Sequence, residues 1–240
     1  MKVEVICCTA RDCALAEATG AHRIELCAAI ELGGLTPSLG LLQEGRTRTT
    51  VPLLAMLRPR GGGFGYSEEE FATMVRDAAH LAEHGADGLV TGVLSPDGTI
   101  DRYRLAHLIA TAPKVEWVCH RAFDQTPDPF DALESLIELG FRRVLTSGHR
   151  KSAADGADVL RALIERAAGR IEILPGGGIR PGNVKDLVSR TGCDQVHLGP
   201  FVPTADPSHG HNPQVPGDGA FGVIDVLGIR QTIANLSPGN

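Results

Sequence analysis

Short apolar runs of strand length recur eight times along the 240-residue chain, and each is followed by a stretch with helical character. The runs occupy 3–8, 23–27, 53–58, 88–91, 115–120, 143–146, 171–174 and 195–198, and the helical stretches 10–19, 38–47, 67–84, 101–111, 127–139, 152–168, 181–190 and 220–234. Parallel strands need a crossover between them, which a helix supplies. Eight such units predict an α/β chain folded as a closed (β/α)8 TIM barrel, one domain over 1–240. Ser67 three residues before Glu70 predicts a capping box. Glycines 20, 85, 140, 169 and 192 stand where helices should end. The segment 203–219, rich in Pro, Gly and His, reads as a long loop after the eighth strand on the active-site side. His209 and His211 lie in it, and two ligands on irregular backbone make a poor metal site.

Alternation assigns the faces of each strand. Outward residues meet helices and should be apolar, so Ile24 and Leu26 face the helices while Arg23, Glu25 and Cys27 point inward. Burying Glu4 against helices would be costly, which places Glu4, Ile6 and Cys8 inside and Cys7 outside. By the same reasoning Met56, Arg58, His120, Gln195 and His197 take the inner face. Buried Arg and Glu must pair, so Arg23 and Arg58 are expected to bridge Glu4 and Glu25. A purely structural ion-pair network is one account of this charged interior. The other is a site, because Arg58, His120 and His197 fall at C-terminal strand ends, where barrel enzymes carry their chemistry.

Charge and cysteine content narrow the partners. A formal net charge of −6, with both signs interspersed, offers no basic stripe for nucleic acid. No apolar stretch approaches the roughly 20 residues of a membrane span, and the chain begins directly in a strand with no apolar leader, so a soluble cytoplasmic protein is expected. Six scattered cysteines without a Cys-x-x-Cys pair read as reduced thiols.

Two glycine runs follow strand ends, Arg58-Pro59-Arg60-Gly61-Gly62-Gly63 and Pro175-Gly176-Gly177-Gly178. Gly176, Gly177 and Gly178 would let backbone N–H groups approach an anion, and Arg58 and Arg60 would grip a carboxylate or phosphate. His120, with Arg121 and Asp124 beyond it, offers acid/base chemistry, and Glu25 offers a second proton carrier. Thr146 and Ser147 at the end of strand six present hydroxyl and backbone donors to orient a ligand. No lysine stands on an inner strand position, which argues against a Schiff-base aldolase. No organic cofactor is indicated.

Read together, Arg23-Ile24-Glu25-Leu26-Cys27, Gly33-Gly34-Leu35-Thr36-Pro37-Ser38, Arg58-Pro59-Arg60-Gly61-Gly62, His120-Arg121-Ala122-Phe123-Asp124, Leu145-Thr146-Ser147-Gly148 and Pro175-Gly176-Gly177-Gly178 resemble the CutC family. The resemblance runs in order from about residue 3 to residue 199 and leaves the last forty residues uncovered. It implies a cytosolic TIM barrel, often a homo-oligomer, linked to copper homeostasis through cysteines at the ends of strands one and two. Cys27 matches the second. Ile6 stands at the first, with Cys7 and Cys8 directly after it and Cys8 on the inner face, so copper(I) ligation by Cys27 with Cys8 or Cys7 is one expectation, soft thiolates suiting that ion. A second is a proton-transfer enzyme acting on a small anionic metabolite through Glu25, His120, Arg58 and their neighbours. A third is a divalent-metal enzyme using Glu4, Glu25, His120 and His197.

Overall fold

The computed structural model describes residues 1–209, 211, 214 and 219–236. Eight parallel strands alternate with helices: β1 (Lys2–Cys7), β2 (Arg23–Leu26), β3 (Leu53–Met56), β4 (Gly88–Thr91), β5 (Glu116–Cys119), β6 (Arg143–Thr146), β7 (Glu172–Pro175) and β8 (Gln195–Leu198). In hydrogen-bond order they run β7-β6-β5-β4-β3-β2-β1-β8, so the sheet curls until β7 meets β8. Gln195 Nε2 reaches Glu172 Oε2 at 3.4 Å across that seam. The result is the expected (β/α)8 barrel, closed by side chains at its last joint. Cys8, Cys27, Arg58 and His120 lie just past strand ends rather than inside strands.

The outer ring is α1 (Ala10–Ala18), α2 (Leu39–Arg48), α3 (Glu68–Glu83), α4 (Arg102–Thr111), α5 (Pro129–Glu138), α6 (Ala157–Ala167), α7 (Val184–Thr191) and α8 (Val226–Leu236). Ser67 and Glu70 form the predicted capping box on α3, and Thr9 with Asp12 forms another on α1. Reciprocal side-chain bonds there satisfy amide donors that a helix start leaves without partners. At the end of α7 Gly192 adopts φ +70°, a left-handed conformation that glycine takes without a Cβ penalty.

Strand alternation divides the apolar residues as expected. Val3, Val5, Cys7, Ile24, Leu26, Leu53 and Ala55 pack outward with Leu42, Met74, Leu105, Leu133 and Leu160 of the helices in the main core. Inside the barrel, Ile6, Cys27, Leu54, Met56, Val90 and Val118 form a smaller cluster. Cys7 therefore belongs to the helix-facing layer, which removes it as a partner for Cys27 in holding an inner ion.

The segment after β8 departs from its expected form. In place of a loop over 203–219 and a helix from 220, β9 (Phe201–Ala205) pairs antiparallel with β10 (Ala220–Ile224), and the last helix starts at Val226. Apolar residues 220–224 find a partner strand that lies about fifteen positions earlier, a pairing that local periodicity does not register. His209 and His211 sit on the exposed tip, where His211 Nε2 lies 2.8 Å from the Pro207 carbonyl.

Candidate functional site

Strand register builds the floor of the site. Glu4 on β1 lies opposite Arg23 on β2 and opposite His197 on β8, so three inward side chains meet in one layer. Arg23 Nε donates to Glu4 Oε2, and His197 Nδ1 lies 2.7 Å from Glu4 Oε1. Arg23 Nη2 also donates to Gln195 Oε1 at 3.1 Å. Burial would raise the Glu4 carboxyl, but Arg23 and His197 outweigh it and hold it down to about 2. Burial would lower His197, yet its bond to Glu4 and the charges of Glu25 and Glu4 raise it.

One layer higher, opposite Ile6, stands Glu25. It is 1% exposed, Oε2 has no hydrogen-bond partner, and no ion pair forms to it among the described residues. Burial, reinforced by Glu4, pushes its carboxyl up to about 7, against the lowering effect of His197 and Arg23. Of the two bridges expected from sequence, Arg23–Glu4 forms. Glu25 stays unpaired.

Arg58 is the reason for the difference. Its Nη1 donates to the carbonyls of Leu32 (2.8 Å) and Gly34 (3.2 Å), and its Nη2 to that of Gly62 (2.8 Å). Thr36 and Arg58 exchange further bonds, Thr36 N–H to the Arg58 carbonyl and Arg58 N–H to Thr36 Oγ1, both 2.9 Å. The Gly33-Gly34-Leu35-Thr36 and Arg58-Pro59-Arg60-Gly61-Gly62 motifs are thus one clasp, whose turned-in carbonyls take most of the guanidinium donors. Arg58 Nε meets no acceptor in good hydrogen-bond geometry, and the Tyr66 hydroxyl lies beside the guanidinium, whose charge opposes the rise that burial imposes on the phenol. Arg60 lies outside the cavity: Nε pairs with Glu70 at 2.5 Å, while Nη1 and Nη2 donate to the carbonyls of Gly61, Gly63 and Gly65. These bonds make it a brace of its own loop.

His120 follows β5 and is 4% exposed. The Ala122 N–H donates to its Nδ1 at 3.1 Å, and Nε2 is buried without a partner. Burial and the Arg58 charge lower its pKa to about 3, so the ring is neutral. Room for it comes from Gly92, where a Cβ would sit 2.7 Å from His120 Cε1. Phe64 covers both neighbours, its ring centroid 4.9 Å from that of His120 and 5.1 Å from Arg58 Cζ.

Asp124, expected to share in proton transfer, is committed elsewhere. It accepts from Thr146 Oγ1 (2.5 Å), Ser147 Oγ (3.0 Å), the amides of Ser147 and His149, and Arg121 Nε (2.7 Å). Thr146 and Ser147 spend their hydroxyls on this clasp between the ends of β5 and β6. Arg121 is pinned by Asp124 and Ser147 but lines the cavity, close to Gly177.

A cavity of about 220 Å³ opens at the C-terminal end of the barrel, with Glu25, Arg58, His120, Arg121, Arg180 and His197 among its polar lining. Ile6, Ile30, Met56, Phe64 and Leu145 supply apolar wall. Gly177 and Gly178 complete the rim at φ +100° and +72°, with no intramolecular acceptor for their amide N–H groups among the described residues. Gly176 is buried behind them, where a Cβ would strike Leu145 Cδ1 at 2.5 Å. Sequence reasoning missed Phe64, Gly92 and Arg180. The basic residue directly after the Gly176-Gly177-Gly178-Ile179 run was a readable signal, while the Gly92 role depends on a neighbour 28 residues away in the chain.

Two metal readings meet different geometry. The ligating atoms of Glu4, Glu25 and His197 lie within 4.8 Å of one another, but both Glu4 oxygens are taken, Arg23 adds positive charge, and His120 stands outside the group. That arrangement does not fit a divalent ion. Cys8 and Cys27, facing each other beyond the ends of β1 and β2, place their Sγ atoms 3.6 Å apart. Two thiolates sharing one ion, each at roughly 2.3 Å, can stand this close. The adjacent Cys8 thiol and burial push the Cys27 thiol well above its ordinary range, so ligation there requires loss of a tightly held proton.

The CutC family profile matches residues 1–201. A CutC family protein of Treponema denticola is 47% identical over 235 residues, 96% of each chain. The human protein named copper homeostasis protein cutC homolog is 45% identical over 182 residues, 76% of this chain and 67% of that one. A solved CutC structure from Streptococcus agalactiae superposes with a TM-score of 0.79 at 31% identity, covering 82% of this chain and 97% of that one. Phosphoribosylanthranilate isomerase of Thermotoga maritima, at TM-score 0.58 and 13% identity, shares the barrel alone. With its profile matched from the first strand to the ninth and its motifs gathered around one cavity, the chain belongs to the CutC family.

Proposed function

We propose that this CutC-family barrel is an acid/base enzyme acting on a small anionic metabolite held at the C-terminal end of its strands. The observation that carries the reading is that Glu25 Oε2 and His120 Nε2, both buried and without protein partners, belong to side chains lining one cavity. Leaving such groups unsatisfied costs on the order of 1–3 kcal/mol each, a cost expected where a ligand supplies the missing partner. A carboxyl poised near neutrality suits proton transfer. The Gly177 and Gly178 amides, with Arg121 and Arg180, form the anion-holding rim, in the region after strand seven that barrels commonly use for phosphate. Thermal unfolding with glycolate, 2-phosphoglycolate and inorganic phosphate tests this. Stabilisation of the wild type by an anionic probe, weakened several-fold in Arg180→Ala, is expected; no stabilisation by any of the three overturns the reading.

A second reading, carried by the 3.6 Å separation of Cys8 and Cys27, is that the protein binds copper(I) as cargo through these two thiolates. Anaerobic competition against a chromogenic chelator decides it. Stoichiometric binding lost in Cys27→Ala is expected, and binding that survives that change removes the site. Both readings carry a cytosolic protein that self-associates, with the exposed Val202 and Phe221 of the β9–β10 hairpin and Leu227 of α8 as apolar contact surface.

A further inference from the structure

We infer that the cavity enolises a small carbonyl compound, with Glu25 taking the α-proton and the fixed Nε2–H of His120 holding the carbonyl oxygen as it becomes an oxyanion. This rests on the acid/base reading above and adds the substrate class and the distribution of roles.

The role of His120 follows from which of its nitrogens is occupied. Nδ1 accepts the Ala122 amide at 3.1 Å, so it carries no proton, and a neutral ring then holds its proton on Nε2. Ala122 stands two residues along the same chain turn, so the tautomer is set by the His120-Arg121-Ala122 backbone and not by a mobile side chain. Burial and the Arg58 charge oppose a second proton. The ring, one of the side chains lining the cavity, therefore keeps one buried donor and no acceptor without a protein partner, and the group that satisfies a lone buried donor is an acceptor such as a carbonyl oxygen. A neutral donor stabilises developing negative charge on that oxygen without surrendering its proton. The Arg58 guanidinium, beside His120 under the same Phe64 ring, adds positive charge where the oxyanion forms.

Glu25 is the complementary group. It has no cation of its own, since Arg23 is spent on Glu4 and Gln195. Its ionised form is therefore a base without a hydrogen-bonded cation, since His197 and Arg23, which favour its charge from nearby, are both bonded to Glu4, and it shares the cavity lining with Ile6, Met56 and Leu145. In the step, the carboxylate forms an O–H bond to the α-hydrogen, and the C–H pair becomes the C=C bond of the enolate. The carbonyl π pair moves onto oxygen, where His120 Nε2–H receives it. Returning the proton to carbon reverses the step or delivers an isomer, with no redox partner and no other reactant. An anionic end of the substrate falls to Arg121, Arg180 and the Gly177 and Gly178 amides.

Two measurements on the whole protein test this. A long-range 1H–15N correlation of the imidazoles, with the His120 signal assigned by its loss in His120→Phe, should give Nε2–H, unprotonated Nδ1 and no titration from about pH 5 to pH 9. An Nδ1–H tautomer, or titration near the ordinary histidine value, overturns the inference. In the presence of EDTA, phosphoglycolohydroxamate, a planar enediolate mimic, should bind about 100-fold tighter than glycerol 3-phosphate, which lacks the carbonyl. The preference should fall toward unity in His120→Phe. Equal binding of the two probes to wild type overturns the enolisation step and leaves the anion-site reading intact, whereas binding of neither removes both.

Discussion

Gly92 shows how narrowly the residue-scale geometry is drawn. A methyl group there would lie 2.6 Å from Ala122 Cβ and 2.7 Å from His120 Cε1, so Gly92→Ala must displace the imidazole or its turn. Overpacking of this kind costs about 1–3 kcal/mol. A melting temperature lowered by a few degrees, together with a shifted His120 15N pattern, is the expected outcome. Glu25 yields a pH prediction. Its folded carboxyl titrates at about 7, above the ordinary value of 4.5, so the folded state holds the proton more tightly and stability falls as pH rises through that interval. Glu25→Gln keeps the shape and removes the titration. Urea unfolding at pH 5 and pH 8 should show the variant gaining on wild type at the higher pH, by an amount on the order of 3 kcal/mol. An unchanged difference between the two pH values would show that burial does not perturb this group. Residue chemistry of this kind was partly legible: alternation put Glu25 and His120 inside, but the lack of a partner for either depends on where Arg58 points.

At the scale of elements, the motifs are braces between strand ends as much as they are ligand contacts. Asp124 joins the 3₁₀ turn after β5 to the end of β6 by accepting from Thr146, Ser147, His149 and Arg121. Asp124→Ala strands several of these donors in a nearly closed environment. A loss of about 2–4 kcal/mol is expected. Denaturant unfolding measures the loss, and hydrogen exchange should show faster exchange of the Ser147 and His149 amides before the barrel opens. Arg60 makes the same point in the loop after β3, where its bonds go to Glu70 and three loop carbonyls and it is absent from the cavity lining. Arginine beside glycine after a barrel strand reads from sequence as anion recognition. Loop carbonyls compete for the same guanidinium, and in this loop they win.

For the molecule as a whole, one strand register does most to decide the interior. Glu4 sits between Arg23 and His197, so the two neighbours of β1 are tied to it inside the barrel by charge as well as by the ladder. Glu4→Gln leaves Arg23 buried without its carboxylate and should cost about 3–5 kcal/mol in chemical unfolding. In the wild type Glu4 titrates at about 2, below the ordinary value of 4.5, so the folded state binds the proton less readily than the unfolded chain does. Its contribution is present above pH 4.5 and is lost as pH falls through 2. His120, at about 3 against an ordinary 6.5, acts in the same direction below neutrality. Glu25 acts in the opposite sense between pH 7 and pH 4.5, so the His120 contribution is read as a difference: in unfolding curves from pH 7 to pH 3, wild type should lose stability relative to His120→Phe.

Sequence by itself determined the barrel, the order of its units, the inward and outward faces and the family, because periodicity, strand length and strand-end motifs are local properties written in neighbouring residues. It also placed Glu25, His120, His197 and Cys27 inside. Tertiary structure decided which of the inward groups are paired and which are free. It turned Arg58 and Arg60 to their own loops, committed Asp124 to a clasp, set Cys8 rather than Cys7 against Cys27, brought Arg121 and Arg180 to the cavity lining, and folded 201–224 into a hairpin. These outcomes depend on pairs distant in the chain competing for the same donors, and that competition is settled only by distance and burial in the folded barrel.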